Sequence, residues 1–310
     1  LKQDINKIFV FIILLVGSVL LFFGGPDYYA ARSYKNIWNI GHILLFFTFT
    51  YALLNYYGKM KKQNILGQFL LLSLFVLIIG VSVELLQVKI DRDLDFHDVW
   101  RDFLGMLLFL FFFAPARFRL SKKAMRIIQA FLLVFLLIEF YFPFKAIADE
   151  IISREQFPVL SDFETPFETS RWKGDARLHK VADFSHTGKA CARIFLKTDL
   201  YSGVSLNYFP RNWEGFRYLE FYVYSENNLR MTCRIHDDIH IKNKEPFEDR
   251  LNKRLFLQHG WNHIIISIQE IENAPAGRKM NLRKIMNFGI FATQLPSPAE
   301  ISIDDVSLVR

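Results

Sequence analysis

Residues 65–88 read ILGQFLLLSLFVLIIGVSVELLQV, a run with no charge before Glu84. About 20 apolar residues in a helix cover the ~30 Å of hydrocarbon in a bilayer, so this run is long enough to cross one. Four more runs read the same way: about 7–24, 37–57, 98–114 and 124–143. The first has an apolar core longer than that of a cleavable signal and no small-x-small site after it, so it reads as a retained helix. Basic residues fall in two short loops, Lys59, Lys61 and Lys62 in one, Arg117, Arg119, Lys122, Lys123 and Arg126 in or beside the other. The positive-inside rule makes both loops cytoplasmic. The expectation is a multi-pass plasma-membrane protein with a cytoplasmic N-terminus, five helices, and everything after residue 143 on the outer side.

The whole-chain averages fit this division. Of 310 residues, 38 are basic and 31 acidic (net +7), 52% are hydrophobic and 22% charged, 33 are Phe, and the mean hydropathy is +0.17. Neither a disordered chain nor an ordinary soluble enzyme has that profile. The basic excess sits largely in loops between apolar runs, which points to a membrane and away from nucleic acid.

Ionisable residues inside a bilayer are costly and face protein or a water-filled cavity. Glu84 and Gln87 share a helix face. Asp98, Arg101, Asp102 and Gly105 follow i, i+3, i+4, i+7 and form one stripe, with Asp95 placed as the N-cap. His42 and Glu139 lie in the second and fifth runs. With the orientation above, all of them fall near the outer end of the helices. They either pair with one another, Arg92 and Arg101 neutralising Glu84 or Asp102, or they line an outward-facing polar pocket for a headgroup.

The phrases Ser82-Val-Glu84-Leu-Leu-Gln87 and Arg92-Asp93-x-Asp95-x-x-Asp98, followed by Gly105, resemble the signature of the VanZ-like membrane family. His42 in Gly41-His42-Ile43 matches that family's early histidine. Two positions depart from the pattern: Asp102 replaces an Asn, and Trp38-Asn39 replaces an Asp-Lys before the histidine. The resemblance implies a membrane location and a polar constellation of His42, Glu84, Gln87, Arg92, Asp95, Asp98, Arg101 and Asp102. It also implies an association with tolerance to glycopeptide antibiotics.

From Leu160 onward the pattern changes to period two, as in Tyr218-Leu219-Glu220-Phe221-Tyr222-Val223-Tyr224 and Ile264-Ile265-Ile266-Ser267-Ile268. Short strands separated by turn residues predict an antiparallel β-sandwich. The expected organisation is an α-helical transmembrane bundle (1–143), a linker with an interfacial helix (144–160) and an all-β jelly-roll sandwich (161–310). Cys191 and Cys233 sit inside expected strands and read as buried free thiols. His236/His240 and His259/His263 have i, i+4 spacing, but in strand and loop surroundings that spacing does not align a metal pair.

Asp162-Phe163-Glu164, Asn212-Trp213-Glu214-Gly215-Phe216-Arg217-Tyr218-Leu219, Arg234-Ile235-His236-Asp237, Phe247-Glu248-Asp249-Arg250-Leu251-Asn252, Gly260-Trp261-Asn262 and Ile303-Asp304-Asp305-Val306 resemble galactose-binding-like jelly rolls. That group includes carbohydrate-binding modules and the complex I intermediate-associated protein family. The resemblance implies a structural Ca2+ shared by Glu164 and Asp304. It implies sugar contacts from Arg234, Asp237, Arg250 and Asn252 with Tyr222 or Tyr224 beside them, and a core position for Trp213 and Trp261. The expected partners are a membrane lipid or lipid-linked headgroup and a cell-surface glycan or envelope protein. An alternative is a membrane enzyme on a lipid-linked substrate with Glu84 or Asp98 as general acid or base. The sequence shows no zincin, Walker or Gly-x-Ser-x-Gly motif.

Overall fold

The computed structural model describes residues 2–88, 95–182 and 184–310, without the side chains of 2–5, 88, 118 and 119. The chain forms two compact units, Leu1–Ile147 and Ala148–Arg310.

The first unit is helical: α1 (Lys2–Phe22), α2 (Arg32–Tyr56), a one-turn α3 (Gly58–Lys61), α4 (Ile65–Val88), α5 (Phe96–Phe112) and α6 (Lys122–Gln156). Against the five spans expected from sequence, three helices among the described residues are long and apolar enough to cross a membrane: Arg32–Tyr56, Ile65–Gln87 and Lys122–Gln156. The apolar stretch of α1 is the shorter Asn6–Phe22. α5 is 17 residues long and spends its first two turns on Asp98, Arg101 and Asp102. The core gathers around α5, where Leu104, Met106 and Leu110 are wholly buried with Leu72 and Val76 of α4. Gly105 sets the approach of α5 to α2, because a Cβ there would stand 2.3 Å from the Ile43 carbonyl oxygen. The flank of α6 leaves Phe131, Val134, Leu137 and Phe140 exposed, an apolar surface of the kind that lipid covers. α6 runs through Pro143 to Gln156, so the segment expected to be a linker begins as a continuation of this helix.

The second unit is a β-sandwich of two antiparallel sheets. Its strands are β1 (Val159–Ser161), β2 (Trp172–Gly174), β3 (Arg177–Ala182), β4 (Ala190–Leu196), β5 (Ser202–Leu206), β6 (Tyr218–Ser225), β7 (Leu229–Asp237), β8 (Leu251–Leu257), β9 (Gly260–Ser267), β10 (Ile285–Ala292) and β11 (Ala299–Val309). Two short helices, α7 (Asp238–Lys242) and α8 (Ile268–Glu272), follow β7 and β9. The first sheet has the order β3-β4-β11-β6-β9, with β1 also on β11, and the second the order β2-β5-β10-β7-β8. Alternation builds the core: Leu219, Phe221 and Val223 of β6 meet Met231, Cys233 and Ile235 of β7 and Phe288 and Ile290 of β10. Trp213 is buried there as expected, whereas Trp261 lies outside the core, stacked on Phe184 at 5.7 Å. Cys191 and Cys233 are free and wholly buried, one in each sheet.

Candidate functional site

Two clusters of polar residues stand out, one in each unit. In the helical unit, Asp95 caps α5 by accepting from the His97 amide at 2.9 Å. The first two turns of α5 then project Asp98, Arg101 and Asp102 toward neighbouring helices. His42 Nδ1 of α2 lies 2.9 Å from Asp102 Oδ1, and its Nε2 lies 3.5 Å from Asp98 Oδ2. Arg101 donates to Asp98 Oδ1 at 2.5 Å and to Glu139 Oε2 of α6 at 2.9 Å, with Asp95 at 3.6 Å. Glu84 Oε2 accepts the Asp95 amide at 2.9 Å. His42, Glu84, Asp95, Asp98, Arg101, Asp102 and Glu139 thus form one network over α2, α4, α5 and α6. Gln87 points elsewhere, donating to the Leu21 carbonyl of α1 at 2.8 Å. Arg92 lies outside the described residues. His42 also walls a cavity of about 210 Å³ between α1 and α2, otherwise lined by residues such as Leu21, Trp38 and Leu45.

In the sandwich, strand register decides which side chains share an outer face. Across the second sheet, Lys173 faces Ser205, Ser205 faces Gly289, Gly289 faces Arg234 and Arg234 faces Asn252. This outward row crosses all five strands. Gly289 at its centre leaves a floor without a side chain, and a Cβ there would reach the Ser205 hydroxyl at 2.6 Å. On one side Asn287 Nδ2 donates to Asn207 Oδ1 at 2.6 Å, next to His236. Opposite, Phe291 carries the Tyr201 ring at 5.9 Å and lies 5.9 Å beneath the Arg234 guanidinium. Arg250 lies 5.4 Å over Phe247 and donates from Nε to Asn252 Oδ1 at 3.1 Å. The Arg234 Nε, the Asn287 Oδ1 and both ring nitrogens of His240 are buried with no hydrogen-bond partner. The His236 and His240 rings are 4.7 Å apart. Burial, with each histidine beside other cationic groups, takes both below the usual imidazole range, His236 to about 3, so they are neutral hydrogen-bonding groups.

Several expected site residues serve elsewhere. Tyr222 and Tyr224 point outward from β6 in the first sheet, while Arg234 and Asn252 point outward from the second, so the structure does not bring them together. Tyr222 is instead stacked between His186 at 3.5 Å and His263 at 4.4 Å. Asp237 is wholly buried and fully engaged: it caps α7 through the His240 amide at 3.0 Å and accepts from Arg278 at 2.7 and 2.9 Å and from the Asn281 amide at 2.6 Å. That leaves it no room for a ligand. Glu164 accepts the Lys189 and Ala190 amides at 2.7 and 2.9 Å, and Asp304 accepts the His186 amide at 2.8 Å. Both carboxylates therefore hold the loop before β4 through N–H donors. Among the described residues, no group of three or more His, Cys, Asp or Glu is placed to hold a metal ion. Tyr201, Phe247, Asn287 and Phe291 were missed from sequence. The outward parity of β10 was the available signal for two of them.

These carboxylates give stability two opposed pH dependences. Arg278 is the main cause that holds Asp249 below the usual carboxylate range; for Asp237 burial pushes upward, but Arg278 and two amides outweigh it. Both contribute stability above the unfolded value of about 4, lost as the pH falls through their lowered folded values. Asp304 works in reverse. Burial, reinforced by Asp305, raises it to about 6, so its contribution is complete below about pH 4 and is lost as the pH climbs to 6. His236 and His240, held below the usual imidazole range, add stability as the pH rises over the same window, so the Asp304 contribution is read as a difference: the melting temperature of Asp304→Asn relative to wild type is expected to rise between about pH 4 and 6 and to level off above. A difference that stays constant across that window rejects the assignment.

No family model matches the chain, and no curated protein matches it. Solved structures do match its C-terminal half. A family 11 carbohydrate-binding module from Clostridium thermocellum, in complex with a β-1,3-1,4-mixed-linked tetrasaccharide, is 14% identical with a TM-score of 0.37, covering 49% of this chain and 94% of that one. The xylan-binding domain CBM22-2 from Paenibacillus barcinonensis Xyn10C is 13% identical with a TM-score of 0.33, covering 49% and 98%. An exo-β-agarase is 12% identical with a TM-score of 0.36, covering 48% of this chain and 24% of that one.

Proposed function

We propose that the chain is a membrane-anchored glycan-binding protein whose binding surface is the outer face of the second sheet. One observation carries this reading. A glycine-floored row of polar side chains crosses five strands between exposed aromatic rings, and buried polar atoms along it stand without partners. Buried polar groups are almost always paired in a folded chain, so unpaired ones along a surface row are open to hydrogen bonds from a ligand or from water that a ligand displaces. Aromatic rings beside hydrogen-bonding side chains suit sugar rings, which present both apolar faces and hydroxyls. In this reading both basic loops are cytoplasmic, α5 crosses the membrane between α4 and α6, and the sandwich lies on the outer side, where an envelope glycan is available. A contribution to envelope maintenance or glycopeptide tolerance, from the likeness of residues 35–115 to VanZ-like proteins, belongs to the same proposal.

Gly289→Leu tests the face. The Cβ of the new side chain would stand 2.6 Å from the Ser205 hydroxyl, 3.4 Å from Asn287 Oδ1 and 3.5 Å from Ser205 Cβ, all side-chain atoms, so the fold should hold once Ser205 turns to another rotamer. The full chain in nanodiscs is expected to bind polysaccharides from a panel of mixed-linked β-glucan, xylan and polygalacturonate. The variant is expected to lose that binding with a melting temperature near the wild type's. Retained binding in the variant places the ligand elsewhere.

A second reading rests on His42, held by Asp102 at the wall of an apolar cavity, an arrangement suited to acid–base chemistry on a lipid-linked substrate. It revises the sequence-based alternative, since Glu84 is occupied by a backbone amide and Asp98 by Arg101. Mass spectrometry of proteoliposomes loaded with isoprenoid-linked sugar phosphates should show turnover that His42→Gln abolishes. No turnover by the wild-type chain ends this reading.

A further inference from the structure

We propose that the glycan taken by the second sheet's outer face is acidic, recognised through Arg234 and Arg250. The inference rests on the reading of that face as a glycan site and names the charge of its ligand.

Arg101, Arg171, Arg193, Arg278 and Arg283 each lie within 3.0 Å of a carboxylate oxygen (Arg278 at 2.7 Å to Asp237). Arg230 and Arg254 have no ion pair among the described residues, but they are exposed to water, which solvates their charge. Arg234 and Arg250 form no ion pair among the described residues. They are half-buried on the face of the sheet, held over Phe291 and Phe247, and the Arg234 Nε points at nothing that accepts it. A guanidinium does not shed its charge at neutral pH to relieve this. Two such groups side by side without a counter-charge repel each other. The repulsion shows in Arg250, which burial first and Arg234 second draw below the usual arginine value.

The neighbouring acids do not supply the missing charge. Asp237 and Asp249 are both taken by Arg278, and Asn243 donates to Asp249 as well. Glu245 acts on Arg250 through space from an exposed position, where water screens it. Lys173 and Arg254 add positive charge to the same face. His236 and His240 are neutral and add hydrogen bonds without cancelling charge. A guanidinium fork matches a carboxylate or sulfate with two parallel hydrogen bonds. A chain of sugars bearing such groups, laid along the trough, supplies rings for Tyr201, Phe247 and Phe291 and anions for the two arginines.

The test uses the full chain in nanodiscs of uncharged lipid, titrated with hexagalacturonic acid and with its fully methyl-esterified form. A sulfated galactan oligosaccharide, a mixed-linked β-glucan tetrasaccharide and a single-stranded oligonucleotide complete the set. The acid or the sulfated oligosaccharide is expected to bind at least about tenfold tighter than the uncharged sugars, and which of the two wins identifies the anion. Arg234→Gln and Arg250→Gln are each expected to remove that preference while leaving the melting temperature near the wild type's. Gly289→Leu is expected to abolish binding of every sugar. Equal or tighter binding of the ester or the β-glucan overturns the acidic assignment and leaves the glycan face standing. Equal binding of the oligonucleotide also overturns it, since charge alone then suffices. Failure of every sugar to bind overturns both.

Discussion

Asp149→Ala is expected to cost the C-terminal unit about 3–5 kcal/mol, the usual penalty for removing one member of a buried ion pair. Asp149 and Arg171 have no exposed side-chain surface. The Arg171 guanidinium reaches Asp149 through Nε at 3.0 and 3.1 Å and Nη2 at 2.9 Å, then the Leu160 carbonyl at 3.2 Å and Gln156 at 3.1 Å. Deleting the carboxylate leaves a wholly buried charge whose remaining acidic neighbour, Glu168, acts on it only through space. For a unit of this size the melting temperature should fall by about 10 °C. The double variant Asp149→Leu/Arg171→Met is expected to recover most of that loss, because an apolar pair of similar volume does not carry the desolvation penalty. Thermal unfolding followed by circular dichroism decides it. A loss below about 1 kcal/mol for the single variant shows that the site admits water and refutes the argument.

Gly105→Ala is expected to have an effect of similar size in the helical unit. The added carbon would stand 2.3 Å from the Ile43 carbonyl oxygen and 3.0 Å from the Ile43 carbonyl carbon and the Phe47 nitrogen. All three are backbone atoms of α2, so relief requires α2 and α5 to separate. Separation breaks the 2.9 Å contact between His42 and Asp102 and strips packing from Leu104 and Met106. A cost of about 3 kcal/mol or more follows from overpacking that no rotamer absorbs. Gly41→Ala is the control. Nothing lies within 4 Å of its Cβ position, so alanine should be neutral or stabilising by about 0.5–1 kcal/mol through helix propensity. Unfolding in detergent mixtures measures both. Equal behaviour of the two variants shows that the helices do not meet closely at Gly105.

Much of the sandwich was legible because period two is a local signal. Leu219, Phe221 and Val223 declare an inward face of β6 in seven residues. What alternation leaves open is which of two outward faces a residue occupies. β6 and β7 are consecutive in sequence yet belong to different sheets, and Tyr222 was therefore grouped with Arg234 although the core separates them. Asp237 was misread for a related reason. Its principal partner, Arg278, is 41 residues away, and no local pattern announces the pairing. In the helical unit the i, i+3, i+4 spacing correctly put Asp98, Arg101 and Asp102 on one stripe. The stripe is wide enough to serve three helices, so Asp102 turns to His42 and Arg101 to Glu139. The last apolar run was expected to end at residue 143, but α6 passes through Pro143 and continues for 13 residues beyond it.

The two cysteines give experimenters an unmodified background for site-directed labelling. Burial raises both thiols above their ordinary titration range, and neither offers a surface to a reagent. Native protein should therefore stay silent toward a membrane-impermeant maleimide. A single cysteine engineered into the Lys59–Lys62 loop or at Phe256 then reports sidedness by itself, and the native pair becomes reactive only when the sandwich opens.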